Sequence, residues 1–82
     1  MLKRIGTITI ITDDRVKHSV KINEILSKHA DIIIGRMGLP YSPKKISIIC
    51  LIVNGSTDQL GSLTGKLGAI ESVQVKSVMV KV

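Results

Sequence analysis

Residues 46–53 read Ile-Ser-Ile-Ile-Cys-Leu-Ile-Val, apolar at nearly every position, with Lys44-Lys45 before them and Asn54-Gly55 after. The run is far shorter than the roughly 18–20 apolar residues of a membrane-spanning helix. Its β-branched content favours a strand instead. A strand with no polar face is expected at the centre of a sheet, covered on both sides. In a chain of 82 residues that is a demanding requirement, because a domain of this size hides only about 60% of the surface its unfolded chain exposes.

The remaining segments supply the cover. Residues 3–12 (KRIGTITIIT) alternate, placing Gly6, Ile8 and Ile10 on one face of a strand and Ile5, Thr7, Thr9 and Ile11 on the other. Asp13-Asp14 reads as a turn and helix N-cap, with negative charge where a helix dipole favours it. From Arg15 to Ala30 the period becomes helical. Val16, Ser19, Val20, Ile22, Asn23, Leu26 and Ala30 form the expected inner stripe, with Lys17, Lys21, Glu24 and Lys28 opposite. A second strand is expected over residues 31–39, with Gly35 and Gly38 marking a bulge or a close approach, and Pro40-Tyr41-Ser42-Pro43 stopping it.

After the apolar run, Asn54-Gly55 is expected to turn the chain. Ser56 or Thr57 then caps a second helix with Leu60, Leu63 and Leu67 inward, and Gly68 stops it. Residues 73–82 form the last strand. Val73 and Val75 fall on one side and Val78, Val80 and Val82 on the other, which predicts a bulge near Lys76-Ser77. The order β-α-β-β-α-β, with right-handed crossovers, gives an α+β ferredoxin-like sandwich over residues 1–82 as one domain. Its four-stranded antiparallel sheet has the order 4-1-3-2 and carries both helices on one face. The other face has no cover within the chain.

That uncovered face agrees with the composition, which is 44% hydrophobic with one Tyr and no Phe or Trp. The expected outcome is a homo-oligomer, dimer or tetramer, formed through the sheet face or edge. The single cysteine, Cys50, allows no disulfide within the chain and fits a reducing cytoplasm. Inside an apolar strand it reads as inert core.

The fold alone does not fix a function, so side chains must. The net charge of +6 comes from basic residues scattered along the chain, never more than two in a row. This gives a diffuse field for nucleic acid and no recognition element. Base stacking needs aromatics on the central strands, and these have none. The first strand-to-helix loop has neither the paired thiols of a metal chaperone nor a glycine-rich phosphate cradle. His18 and His29, eleven residues apart on one helix, lie about 16 Å apart, too far to share a metal, and read as surface residues. No nucleophile–base or paired-carboxylate constellation is present, so an enzyme is not expected, and no cofactor follows from these residues. Two stretches are left as candidate ligand contacts. One is Asp13, Asp14 and Arg15, whose acids otherwise serve as cap and turn. The other is Gly61, Gly65 and Lys66 on the second helix, where a partner could approach bare backbone. The alternative for these glycines is close packing of helix on sheet or a subunit contact, since each costs a helix about 1 kcal/mol relative to alanine.

The stretches Asn23-Glu24-Ile25-Leu26, Arg36-Met37-Gly38-Leu39-Pro40-Tyr41 and, above all, Leu60-Gly61-Ser62-Leu63-Thr64-Gly65-Lys66-Leu67-Gly68-Ala69-Ile70 resemble the iron-only hydrogenase system regulators. These are short stand-alone ACT-like domains, similar in fold to the C-terminal sensor domain of the nickel-responsive repressor. The resemblance implies a regulatory or sensory module that binds a small ligand or a protein partner at subunit interfaces. Two alternatives are a transcriptional regulator holding nucleic acid on Lys17, Lys21 and Lys28, and a ligand-free assembly factor for hydrogenase maturation. The chain departs from amino-acid-binding ACT domains in having no glycine across Asp14-Arg15-Val16-Lys17-His18, and it lacks the nickel sensor's histidine and cysteine cluster.

Overall fold

The computed structural model describes residues 3–81. Met1, Leu2 and Val82, the last expected to close the final strand, lie outside the described residues. The elements are β1 (Lys3–Asp13), α1 (Val16–Lys28), β2 (Ile33–Tyr41), β3 (Ile46–Ser56), α2 (Thr57–Gly68) and β4 (Gln74–Lys81), with single 3-10 turns at Ala30–Ile32 and Ser42–Lys44. The sheet is antiparallel in the order β2-β3-β1-β4, as the crossover rule predicts. The inward rows of β1 and β3 (Ile8, Ile10, Ile49, Leu51, Val53) meet Ile22 and Leu26 of α1 and Leu60, Leu63 and Leu67 of α2 in one core.

Several local expectations are corrected by tertiary context. The inner stripe of α1 is His18, Ile22 and Leu26, spaced by four, while Val16, Ser19 and Val20 face out. The helix packs by its His18 side because that imidazole finds a carboxylate partner at the sheet end. β2 runs through Pro40 and Tyr41 instead of stopping before them. It is an edge strand, where a missing amide proton costs no ladder bond. Its first two expected residues belong to the preceding 3-10 turn, and the irregularity near Gly35 falls between Ile33 and Gly35.

Asn54 and Gly55 do not turn the chain. They continue β3 opposite Ile5 and Arg4, and α2 starts directly from Ser56. Gly55 permits this because a Cβ there would stand 3.2 Å from Ile32 Cγ2 and 3.1 Å from Gln59 Oε1. β4 has no bulge, since its pairing with β1 is continuous from Gln74 to Lys81. Simple alternation sends Val75 and Met79 inward and Val78 and Val80 outward, so both faces of the strand are apolar. Gly6 receives Met79, as a Cβ there would collide with the Val78 carbonyl and the Met79 sulfur.

The expected double cover of β3 is also corrected. Its inward side is buried, but Ile48 and Cys50 are only half-buried on the other face, and Ile52 there is exposed. Cys50 is therefore not core. Its Sγ lies 3.6 Å from Thr9 Oγ1 on the open side of the sheet.

Candidate functional site

The β1–α1 junction is built around Asp13. Its Oδ1 accepts a hydrogen bond from the Arg15 backbone N–H at 3.1 Å and lies 2.7 Å from His18 Nδ1. Oδ2 lies 3.7 Å from Arg15 Nε. The hydrogen bond from His18 holds the Asp13 carboxyl below its ordinary value of 3.8. An ionised carboxylate only accepts, so Nδ1 carries the ring proton in this contact. His18 is 3% exposed. The surface position expected for it is corrected, because the buried ring nitrogen is satisfied within the chain.

The N-cap of α1 is Arg15, with no side-chain cap. Asp13 serves the amide just ahead of the helix instead of capping its first turn. Asp14 and the Arg15 side chain are exposed. The Asp14 N–H donates to the Lys45 carbonyl at 3.1 Å, and Lys45 adopts a left-handed backbone with φ 53. The β2–β3 turn thus holds the junction in place.

The second candidate stretch lies on α2. Ser56 and Gln59 form a reciprocal capping box, with bonds of 3.2 and 2.9 Å, which fixes the helix start. Leu60, Leu63 and Leu67 point into the core. Gly61, Gly65 and Lys66 are exposed, and a Cβ at Gly61, Gly65 or Gly68 would meet nothing within 4 Å. These glycines therefore do not pack on the sheet, and their bare backbone faces outward. The fold places the first stretch at the β1–α1 junction and the second on α2. Asp13 and Arg15 are drawn together with His18, while Gly61, Gly65 and Lys66 share an outward surface.

The strands carry a larger feature, the uncovered sheet face expected from the topology. The face turned away from the helices presents Met37, Leu39 and Tyr41 of β2, Ile48, Cys50 and Ile52 of β3, and Val78 and Val80 of β4 in register. Met37 is 71% exposed, Val78 68% and Ile52 50%. A shallow depression of about 340 Å³ on this face includes Thr7, Met37, Cys50 and Ile52. Among the described residues no three His, Cys, Asp or Glu side chains group as for a metal ion, and no helix is long and apolar enough to cross a membrane. His29 is occupied locally, with Nδ1 2.9 Å from the Ile25 carbonyl.

The family model TM1266-like, described as "Iron-only hydrogenase system regulator, putative", matches residues 4–77. No curated protein matches the chain. Among solved structures, the uncharacterized protein TM1266 from Thermotoga maritima is 38% identical, with a TM-score of 0.93 over 96% of this chain and 99% of that one. The ACT domain from GTP pyrophosphokinase of Chlorobium tepidum is 22% identical, with a TM-score of 0.75 over 90% and 96%. CPII, a nitrogen regulatory PII-like protein from Thiomonas intermedia, is 15% identical, with a TM-score of 0.57 over 98% of each chain. The last two likenesses are of fold alone.

Proposed function

This chain belongs to the TM1266-like family of iron-only hydrogenase system regulators, and on that premise we propose that it is an oligomeric cytoplasmic regulatory module acting by binding a small ligand or a protein partner, with no catalysis of its own. The observation that carries the reading is the apolar face of the sheet left open by both helices. Burial of apolar surface is favourable by about 25 cal/mol per Å², and soluble monomers rarely leave a contiguous patch of this kind in water. A second copy presents the same apolar, aromatic-poor surface, and a two-fold arrangement brings such a surface against itself. Cys50 would then be enclosed as a reduced thiol.

Covering this face leaves the helices free on the opposite side of the sheet. Asp13, Asp14 and Arg15 at the start of α1, and Gly61, Gly65 and Lys66 on α2, are the surfaces assigned to the ligand or partner. The two glycines support this. In an exposed helix each is destabilising by about 1 kcal/mol relative to alanine, and close approach of another molecule is the gain that offsets it.

A thermal-shift screen of amino acids, nucleotides and transition metals tests the ligand half. A compound that binds only the folded state raises the melting temperature. A flat screen, together with no protein co-purifying with tagged chain from hydrogenase-producing cells, would remove the binding role.

A further inference from the structure

A cavity of about 160 Å³ lies between α1 and the corner of the sheet where β1 ends. Its floor is the helix-facing side of three paired strands, with Thr12 opposite Ser47 and Gly38 opposite Ile49. Ile22 and Asn23 of α1 roof it. Thr12 is 2% exposed, and its hydroxyl has no hydrogen-bond partner among the described residues. Folded proteins keep few buried hydroxyls in that condition, because desolvation is then uncompensated.

Gly38 adds an independent observation. It lines the cavity from an exposed position, and a Cβ built on it would meet nothing within 4 Å, so a larger side chain there would narrow the opening. Arg36 also lines the cavity, with Nη2 donating to Asn23 Oδ1 at 2.6 Å. That bond uses one of the five guanidinium N–H donors.

We propose that this cavity binds a small carboxylate lacking an ammonium group, such as a short 2-oxo or 2-hydroxy acid. The proposal rests on the reading of the chain as a ligand-responsive module and goes beyond it, since Asp13, Asp14, Arg15, Gly61, Gly65 and Lys66 lie outside this cavity. Among the described residues, Arg36 is the one charged residue lining the space, and no Asp or Glu lines it. A guanidinium is matched to a carboxylate, whereas the ammonium of an amino acid would be left without a counter-charge. The Thr12 hydroxyl supplies a donor for the second polar group, and Ile22 and Ile49 accept a short aliphatic tail. The volume is close to that of cavities that take a ring of about six carbons, which limits the ligand to a similar size.

The test uses 2-oxobutyrate, with 2-aminobutyrate as its matched amino acid, in calorimetry and thermal shift on the full chain. The expected result is a saturable rise in melting temperature with 2-oxobutyrate and none with 2-aminobutyrate. Arg36→Gln weakens binding by about tenfold to a hundredfold. Thr12→Val, which removes the unpaired hydroxyl and keeps the shape, raises the melting temperature of the free protein and abolishes the 2-oxobutyrate shift. Gly38→Val blocks the shift by filling the space. The proposal is overturned by equal or absent shifts for the two acids, by a Thr12→Val protein that binds normally, or by a soaked crystal holding only ordered water at Thr12. Any of those results leaves the wider ligand screen and the assembly mass standing, so the two readings fail separately.

Discussion

The two faces of the sheet are built from the same residue types and meet different surroundings. Toward the helices, Ile8, Ile10, Leu51 and Val53 are fully buried beneath Leu63 and Leu67. Away from them, Ile52, Val78 and Val80 are exposed and Ile48 is half-buried, although β-branching and hydrophobicity are alike. The difference is one of connectivity, because both β-α-β crossovers have the same hand and bring their helices to one side. Hydrophobic content along a strand states that a surface must be covered. It does not state whether the cover comes from the same chain.

The sharpest way to break this comparison is to truncate one residue on each face. Leu63→Ala, in the helix-covered core, is expected to cost about 2–5 kcal/mol in urea denaturation. Ile52→Ala on the open face should cost less than about 1 kcal/mol when measured on the dissociated chain. Equal losses would erase the distinction. Next in size is Gly6→Ala, whose added methyl meets the Val78 carbonyl and lies 3.0 Å from Met79 Cα. Overpacking of that kind costs about 1–3 kcal/mol, and hydrogen exchange should quicken in β4.

Gly65→Ala moves the other way. With open space around it, it should stabilise the chain by about 1 kcal/mol, read as a higher urea midpoint. A loss instead would place the α2 glycines inside a contact already made in the purified assembly. The smallest effect is expected from Asp13→Asn. The Asp13 carboxyl is held below its ordinary value. Its contribution is therefore present above the unfolded value and is lost as pH falls through the lower folded one. Acid titration of the melting temperature should show the variant losing less than the wild type below about pH 4.

Much of this was legible in the chain. The parity of β1, the Ser56 start of α2 and the strand order follow from local period and handedness, because each depends on neighbours in sequence. His18 was not, because hydrophobicity ranks Val16 and Val20 above an imidazole, and only the Asp13 carboxylate at the sheet end makes its burial favourable. The continuation of β2 through Pro40 depends on its being an edge, which is a property of the assembled sheet. The change of side between Val75 and Val78 suggests a bulge in β4, but the strand simply has two apolar faces and pairs without interruption. Of the candidate contacts, the outward glycines of α2 were visible as a spacing. The cavity at Thr12 was not, since nothing in a threonine at the end of a strand announces an unpaired hydroxyl.

The central claim is that the open face is covered by another copy of this chain. Light scattering at micromolar concentration tests it most directly, with wild type and Ile52→Lys run side by side and their far-UV circular dichroism compared. The account predicts a wild-type mass of two or four times 8.9 kDa and a folded variant at a single chain's mass. A wild-type protein that runs as one chain, or a variant that stays assembled, would contradict it.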